Sequence, residues 1–283
     1  IKKTENGYDF YPNPSKESSF SALKSIAAKV STAKQKLVAS SSELDAPVKK
    51  EPKLSAPVQA KANKKQAVSP SGHFIFGFGR FDEKSKVISI NHQGHDYQTT
   101  VTVQKRDFPT EVIDGLPASK VNPPQQDWER IKKEQAQVKT ARATWSEQTA
   151  FLQQFIWPAD GRVSGVYGSR RILNGEAKRP HYGMDIANKT GTQVIAPADG
   201  VVTMAVKDHF YTGGTIIIDH GYGLNSTYLH LSQVNVETGT HIKQGEKIGE
   251  IGATGRATGP HLDWRLNIGT SLRLDPELII PKK

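Results

Sequence analysis

Cysteine is absent from the 283 residues of this chain. Its absence excludes disulfide bonds, zinc–thiolate sites and a thiol nucleophile, so any bound metal ion must use histidine and carboxylate ligands. It also excludes a lipid-bearing cysteine within these residues. An oxidising compartment is compatible with this composition but is not required by it.

Long apolar runs are also missing. Hydrophobic residues make up 36% of the chain and charged residues 23%, and no run approaches the roughly 20 apolar residues that span a bilayer as a helix. The 24 glycines and 16 prolines indicate a turn-rich protein. The length is enough for one or two compact domains with accessory segments.

Arginine is missing from the first 70 residues, which carry thirteen lysines and six acidic residues, a local balance of +7 out of a total net charge of +10. Large apolar side chains are too sparse there to offset the entropy of ordering the chain, so we predict that residues 1–72 are disordered. Without arginine or interleaved aromatic side chains, this tail does not favour nucleic-acid binding.

Two interpretations of the tail stay open. Its lysines would give weak contact with a membrane or an anionic polymer, and the residues that follow a helical period are Leu23, Ile26, Val30 and Leu37. They indicate either a weak amphipathic helix that touches such a surface or a transient helix in a solvated linker.

The rest of the chain divides into three regions. Residues 73–124 contain HFIFGFGRF and KVISINHQGHDYQTTVTVQK, whose alternation predicts a small antiparallel β module. Residues 125–157 are rich in Glu, Lys, Gln and Ala and predict a linker helix that ends at Trp157-Pro158. From residue 158 to 283, strand-like segments alternate with glycine turns, which predicts a mainly β fold with a compact antiparallel sheet.

His181 and Asp185 stand four residues apart in HYGMD, inside the last region. Gly183 and the β-like flanks indicate a strand entered from a turn, where positions i and i+4 share a face. An imidazole and a carboxylate on one face are the usual beginning of a zinc site when sulfur ligands are lacking. Alone, however, the spacing occurs often by chance.

Two further histidines lie in similar segments. In YLHLS, strict alternation places His230 on the same strand face as Tyr228 and Ser232. In TGPHLDWRL, a glycine-rich loop leads to His261, and Asp263 follows two residues later on the same face. Such a pair allows one residue to bind a metal while its neighbour acts on the attacking water.

HYGMD, YLHLS and TGPHLDWRL, in this order, resemble the three signature segments of the lysostaphin-type (LytM domain) zinc endopeptidases. The similarity continues through PADGVV, IIIDHGYG and IKQGEKIGEIGATG, over about residues 158–281. GFGRF and RDFPTEVIDGLP resemble the accessory region of Gram-negative envelope members. The resemblance implies the duplicated β-sheet fold of LytM domains, one Zn²⁺ ion in the catalytic domain, and peptide crosslinks of peptidoglycan as the substrate.

The resemblance also implies a role for each matching residue. His181 and Asp185 would bind zinc, whereas His230 and His261 would act on the attacking water without binding the metal. Asp263 stands where the family normally has a third ligand, a histidine. A carboxylate oxygen also binds zinc, so we expect Asp263 to be the third ligand, with less acidification of water because more negative charge reaches the metal.

Alternative functions remain. If Asp263 does not bind zinc, the domain would be catalytically degenerate and would bind peptidoglycan and activate cell-wall amidases. A biotinyl or lipoyl carrier domain has hairpin sequences similar to ADGVV and IKQGEKIGEIG, but PADGVVTMAV lacks the lysine that carries the cofactor. Metal content and turnover distinguish these possibilities.

Four basic residues complete the expectations for the site region. Arg170, Arg171 and Arg256 would pair with carboxylates of the stem peptides, or would be ordinary solvated surface residues. His220, in DHGYG, would shape a turn. The resemblance implies a periplasmic location, and since the chain starts at Ile1, a removed secretory signal is one explanation for its beginning. A protein regulator is compatible with the family.

Overall fold

The structure is a computed structural model that describes residues 2–4, 7–9, 68–92 and 95–282. Its helices are α1 (Ala118–Val121) and α2 (Trp128–Ala143), with 3₁₀ turns at Gln125–Asp127, Ala150–Leu152 and Pro276–Ile279. The strands are β1 (Lys2–Thr4), β2 (Gly7–Asp9), β3 (Lys86–His92), β4 (His95–Val101), β5 (Thr110–Ile113), β6 (Arg162–Gly165), β7 (Arg170–Leu173), β8 (Glu176–Lys178), β9 (Met184–Ala187), β10 (Gln193–Ile195), β11 (Gly200–His209), β12 (Gly213–Gly221), β13 (Leu224–Leu231), β14 (Gln233–Val234), β15 (His241–Ile242), β16 (Lys247–Glu250), β17 (His261–Ile268) and β18 (Leu272–Leu274). None of the helices in the described part of the chain has the length and hydropathy of a bilayer-spanning segment.

The chain forms two compact units, one of Ile1–Phe74 with Ser85–Thr102 and one of Ile75–Lys84 with Val103–Lys283. In the first unit, β1 pairs with β2 and β3 pairs with β4, both antiparallel. The second unit contains the predicted chemistry and is built on an eight-stranded sheet of order β15-β11-β12-β13-β17-β9-β6, with β18 attached to β17. The prediction of a mainly β, antiparallel fold is confirmed.

The main sheet buries both of its faces. One face carries the principal core, in which Trp264, Tyr228 and Ile216 are fully buried. The other face packs against α2 through Met204 and Ile217, which meet Ala141 of the helix. Because both sides are covered, β12 is buried along its whole length, and three isoleucines, Ile216, Ile217 and Ile218, follow one another instead of alternating with polar residues.

Helix α2 is shorter than the sequence predicts. It ends at Ala143, where Thr144 adopts φ −57° and ψ 136° and leaves the helical region. The chain after it is held by the sheet instead, since Ser146 donates a hydrogen bond to Asp219 Oδ2 at 2.5 Å and its carbonyl accepts one from the backbone N–H of Tyr222. Tertiary hydrogen bonds therefore override the helical composition of residues 144–155.

The predicted β module of residues 73–124 is not a single sheet. HFIFGFGRF forms no strand. Its Gly77 packs so closely that a Cβ atom there would collide with Leu274 of β18. β5 pairs in parallel with β7, so strand pairing crosses the predicted boundary at residue 158. The boundaries 1–72, 73–124, 125–157 and 158–283 stay predictions.

Most of the predicted disordered tail, its amphipathic stretch, and the predicted turn at Gln93-Gly94 lie outside the described residues. The described part of the tail includes the short β1–β2 pair at its start.

His220 does not shape a turn but is buried in β12. Its Nδ1–H donates to the Asp199 carbonyl at 2.7 Å, so Nε2 accepts from the Ser226 hydroxyl at 2.7 Å, and Tyr228 lies 2.8 Å from that hydroxyl. Burial lowers the pKa of His220 to about 4. This buried network needs a neutral imidazole.

Protonation of His220 should therefore destabilise the fold. Above about pH 6.5 the ring is neutral in both states; as the pH falls to about 4, the unfolded chain takes up the proton first, which costs about 3 kcal/mol of stability. Denaturant unfolding of the parent and His220→Gln across this range tests the prediction. The stability advantage of the parent should shrink by about that amount, and a constant difference would contradict a neutral, buried ring.

Candidate metal centre

Two aspartates face each other on neighbouring strands of the main sheet. Asp185 of β9 and Asp263 of β17 are register partners on adjacent antiparallel strands, and His181 precedes β9. His181 Nε2 lies 3.1 Å from Asp185 Oδ1 and 3.4 Å from Asp263 Oδ1. All three side chains are almost completely buried, with 1%, 9% and 2% of their surface exposed. The three residues predicted as zinc ligands thus lie in one cluster.

Two glycines make room for the carboxylates. A Cβ atom on Gly165 of β6 would collide with Asp185 Oδ2, and the three atoms nearest to it all belong to the Asp185 side chain. A Cβ atom on Gly183 would collide with Asp263 Oδ1. Both glycines have ordinary backbone conformations, so close approach, rather than a positive φ angle, explains their presence.

Two arginines bind the same carboxylates from outside the cluster. Arg171 donates to Asp185 Oδ2 at 2.6 Å and to Glu111 Oε2 at 3.3 Å. Arg265 donates to Asp263 Oδ2 from Nη2 at 2.6 Å and to Asp263 Oδ1 from Nε at 2.9 Å. Such charge-assisted bonds fix the orientation of a carboxylate more firmly than neutral ones do.

These contacts determine the protonation states of the cluster. Burial opposes ionisation of Asp185, but His181 and Arg171 outweigh it and lower the pKa to about 2. Burial also opposes ionisation of Asp263, but Arg265 and His181 hold its pKa well below the usual range. Burial disfavours protonation of His181, yet Asp185 and Asp263 raise its pKa. The cluster therefore attracts positive charge to the point where the three side chains meet.

His181, His230 and His261 each form a hydrogen bond to a backbone carbonyl through the same ring nitrogen, Nδ1. The Nδ1–H of His181 donates to Val166 O at 3.3 Å, that of His230 to Thr254 O at 2.7 Å and that of His261 to Gly259 O at 2.9 Å. Because a carbonyl only accepts, Nδ1 carries the proton and Nε2 of each neutral ring keeps its lone pair. This arrangement suits a metal ligand or a general base.

His230 and His261 lie beside the cluster and beside each other. Their ring centroids are 4.8 Å apart, and His261 Nε2 lies 3.9 Å from Asp185 Oδ1. Burial, and then the neighbouring His261, lower the pKa of His230 to about 4. His230 is consequently neutral at neutral pH and keeps an available lone pair on Nε2.

His230 reaches this position by a break in the strand. It adopts φ +66°, and the pairing of β13 with β12 shifts register between Gly214 and Ile216. The prediction that His230 shares a face with Tyr228 and Ser232 is wrong at Tyr228, which is buried in the principal core. A left-handed residue interrupts the period-two alternation and turns His230 towards the cluster.

The donor atoms fit a small divalent metal ion. One ligand atom from each of His181, Asp185 and Asp263 lies within 4.8 Å of the others, and His181 Nε2 and Asp185 Oδ1 are buried without a hydrogen-bond partner. Ligands bound to zinc at about 2.0–2.2 Å in tetrahedral geometry lie roughly 3.3–3.6 Å apart. The observed separations of 3.1 and 3.4 Å are close to that range.

The three arginines predicted to bind substrate differ in their surroundings. Arg170 is exposed on β7. Arg171 is engaged by Asp185 and Glu111, so its guanidinium already has two carboxylate partners. Arg256 is partly buried, with its guanidinium carbon 4.8 Å from the ring centre of Tyr211.

Two residues beside the cluster escaped prediction from the sequence. Arg265 carries a usable signal, because it follows Asp263 by two positions and period-two geometry places both side chains on one face. Glu111 carries none, since its contact with Arg171 depends on the parallel pairing of β5 with β7.

A segment of the chain that includes this cluster matches a known protein family. The model of Peptidase family M23 matches residues 179–276. The peptidoglycan DD-endopeptidase ShyA of Vibrio cholerae is 42% identical over 123 residues, which are 43% of this chain and 28% of that protein. The chain spans between 19% and 28% of the length of the first curated relatives that it matches.

One solved structure covers most of this chain. A protein from Pseudomonas aeruginosa assigned to peptidase M23 superposes with a TM-score of 0.60 and 27% identity, over 75% of this chain and 82% of that one. The catalytic domain of lysostaphin from Staphylococcus simulans is 31% identical, with a TM-score of 0.38, over 42% of this chain and 90% of that domain. This chain belongs to peptidase family M23, through a LytM-type domain that contains the His181–Asp185–Asp263 cluster.

Proposed function

We propose that the protein is a zinc-dependent endopeptidase that hydrolyses peptide crosslinks of bacterial peptidoglycan. The observation that carries the proposal is the buried cluster of His181, Asp185 and Asp263, whose inner atoms lack a hydrogen-bond partner at His181 and Asp185. Arg171 and Arg265 bind the two carboxylates from outside, but they leave Asp185 Oδ1 and His181 Nε2 unpaired. Buried polar atoms are rarely left without a partner, and a metal ion would supply one here.

The residues divide into two roles. His181, Asp185 and Asp263 would hold the ion, and zinc bound there would polarise the scissile carbonyl and acidify water. His230 and His261 lie next to these ligands with their Nδ1 protons already donated to carbonyls. Their Nε2 atoms would accept the proton of the attacking water, and the protonated rings would stabilise the negative charge that develops on the carbonyl oxygen.

The substrate assignment rests on the relatives. ShyA is named a peptidoglycan DD-endopeptidase, and peptidoglycan stem peptides offer carboxylates that arginine binds well. Arg170 and Arg256 would supply such contacts, whereas Arg171 would act on Asp185 rather than on the peptide. A periplasmic or cell-envelope location follows from this substrate.

A second function is favoured by one specific contact. Arg265 bonds to both oxygens of Asp263, including the oxygen that faces His181. If this ion pair excluded a metal, the domain would bind peptidoglycan without cutting it and would act as an activator of cell-wall amidases. Zinc content and turnover separate this function from the first.

The direct test is hydrolysis with and without metal. Purified protein is incubated with peptidoglycan sacculi, in the presence and absence of a chelator, and released fragments are identified by mass spectrometry. The proposal expects new peptide termini that disappear with chelator and return with added zinc. Intact sacculi under all conditions, with a zinc-free protein, would favour the activator.

Replacing His230 or His261 should separate metal binding from catalysis. His230→Ala and His261→Ala should retain zinc nearly fully, because neither ring is assigned to the metal. Each should lose roughly 10²–10⁴-fold in hydrolysis rate, the range typical of a general acid–base residue. Zinc analysis after dialysis, beside rate measurements, checks both parts. Loss of zinc from either variant would reassign that histidine as a ligand.

The space beside Asp185 gives a test without removing any ligand. In Gly165→Ala, the new methyl group would push the Asp185 carboxylate out of place, so zinc affinity should fall at least about tenfold. Gly259→Ala is the matched control, since a Cβ atom there meets nothing within 4 Å. Chelator competition titrations compare the two variants. Equal affinities would show that Asp185 does not have to occupy its present position.

A further inference from the structure

The ion pair between Asp263 and Arg265 is enclosed in the sheet. Both residues lie on β17, two positions apart on one face, and their side chains are 2% and 24% exposed. Three donor–acceptor distances of 2.6, 2.9 and 3.2 Å join the guanidinium to the carboxylate. Removing one partner of a buried bidentate ion pair strongly destabilises a protein, because the other charge is left uncompensated.

Two further arginines, Arg142 of α2 and Arg273 of β18, lie near Asp263. Arg142 is 5% exposed and donates from Nη2 to Thr227 Oγ1 at 3.0 Å, and Thr227 is the register partner of Arg265. Burial and the nearby Arg273 and Arg265 lower the pKa of Arg142 to about 8. Burial and Arg265 lower that of Arg273 to about 10. Three guanidinium groups thus repel one another around a single shared carboxylate, Asp263.

The two aspartates of the cluster differ in how their charge is balanced. Asp185 shares Arg171 with Glu111, so this trio keeps a net charge of −1. Asp263 forms its direct ion pair with Arg265, so this pair is neutral. With a neutral His181, the cluster together with Arg171, Glu111 and Arg265 presents a charge of −1 to a metal ion. Two neutral imidazoles and one carboxylate would present the same charge.

We infer that Asp263 and Arg265 act as one charge-compensated metal ligand, in which Asp263 supplies the oxygen and Arg265 cancels its charge and holds its orientation. This inference rests on the proposed zinc site. It makes Arg265 a positioning residue, and it explains how two carboxylates can bind a metal ion without reducing the Lewis acidity of that ion. It also removes the reason to interpret the fork as a sign of a degenerate site.

A sharp consequence concerns histidine at position 263. Ligand chemistry alone favours Asp263→His, because imidazole is a good zinc ligand. The ion pair predicts the opposite, since Arg265 would then face an imidazole and the metal with no carboxylate to balance it. Removing the arginine at the same time should relieve this repulsion. The two substitutions should therefore be harmful singly and tolerated together.

The experiment is a double-substitution cycle in zinc affinity. Chelator competition is measured for the full chain and for Asp263→His, Arg265→Gln and the double variant, with thermal unfolding in excess chelator to confirm that each is folded. We expect each single variant to bind zinc about 10–100-fold more weakly than the parent. The double variant should bind at least about tenfold more tightly than Asp263→His. Arg162→Gln, at an exposed position of β6, is the control and should match the parent.

The outcomes distinguish failure of the ligand pair from failure of the proposed zinc enzyme. Additive effects, or an Asp263→His variant that binds zinc as tightly as the parent while Arg265 is present, would overturn the ligand pair and leave the zinc enzyme intact. A parent that binds no zinc, beside a double variant that does, would overturn the proposed enzyme and with it the role of the pair. Weak binding of the Arg265→Gln variant with restored binding in the double variant would support both.

Discussion

The structure depends on one electrostatic constraint, the direct opposition of two buried aspartates on adjacent strands. Like charges at register partners destabilise a sheet unless something of opposite sign stands between or beside them. Here Arg171 and Arg265 bind the carboxylates from outside, and His181 approaches them from inside. The space for both carboxylates comes from Gly165 and Gly183. The point where His181, Asp185 and Asp263 meet therefore favours a bound cation.

This constraint connects the accessory segments to the chemistry. β5 lies outside the segment that matches the family model, yet its Glu111 shares Arg171 with Asp185. Helix α2 covers the sheet face that carries Asp263 and places Arg142 beside Thr227. Residues remote from the signature motifs thereby balance the charge of the cluster. Shortening the chain to those motifs would remove part of that balance.

Much of this was predictable from the sequence, for identifiable reasons. Period-two alternation places His261 and Asp263 on one face, and the three motifs bring His181 and Asp185 to the same cluster. The alternation places His230 wrongly relative to Tyr228, because a residue at φ +66° leaves no mark in the sequence pattern. Composition predicts too long a helix α2, because it cannot reveal that residues after Ala143 bond to the sheet. Contacts such as Glu111 with Arg171 depend on strand pairing across the chain.

The most direct test of the account is the ligand set of the zinc-loaded protein, read by X-ray absorption at the zinc edge. Imidazole rings give a multiple-scattering signature that carboxylates lack, so the number of bound histidines can be counted. The account predicts one imidazole, from His181, with the remaining ligands being oxygen at about 2.0–2.2 Å. Two or three bound imidazoles would contradict it, because His230 or His261 would then be a ligand instead of acting on the attacking water.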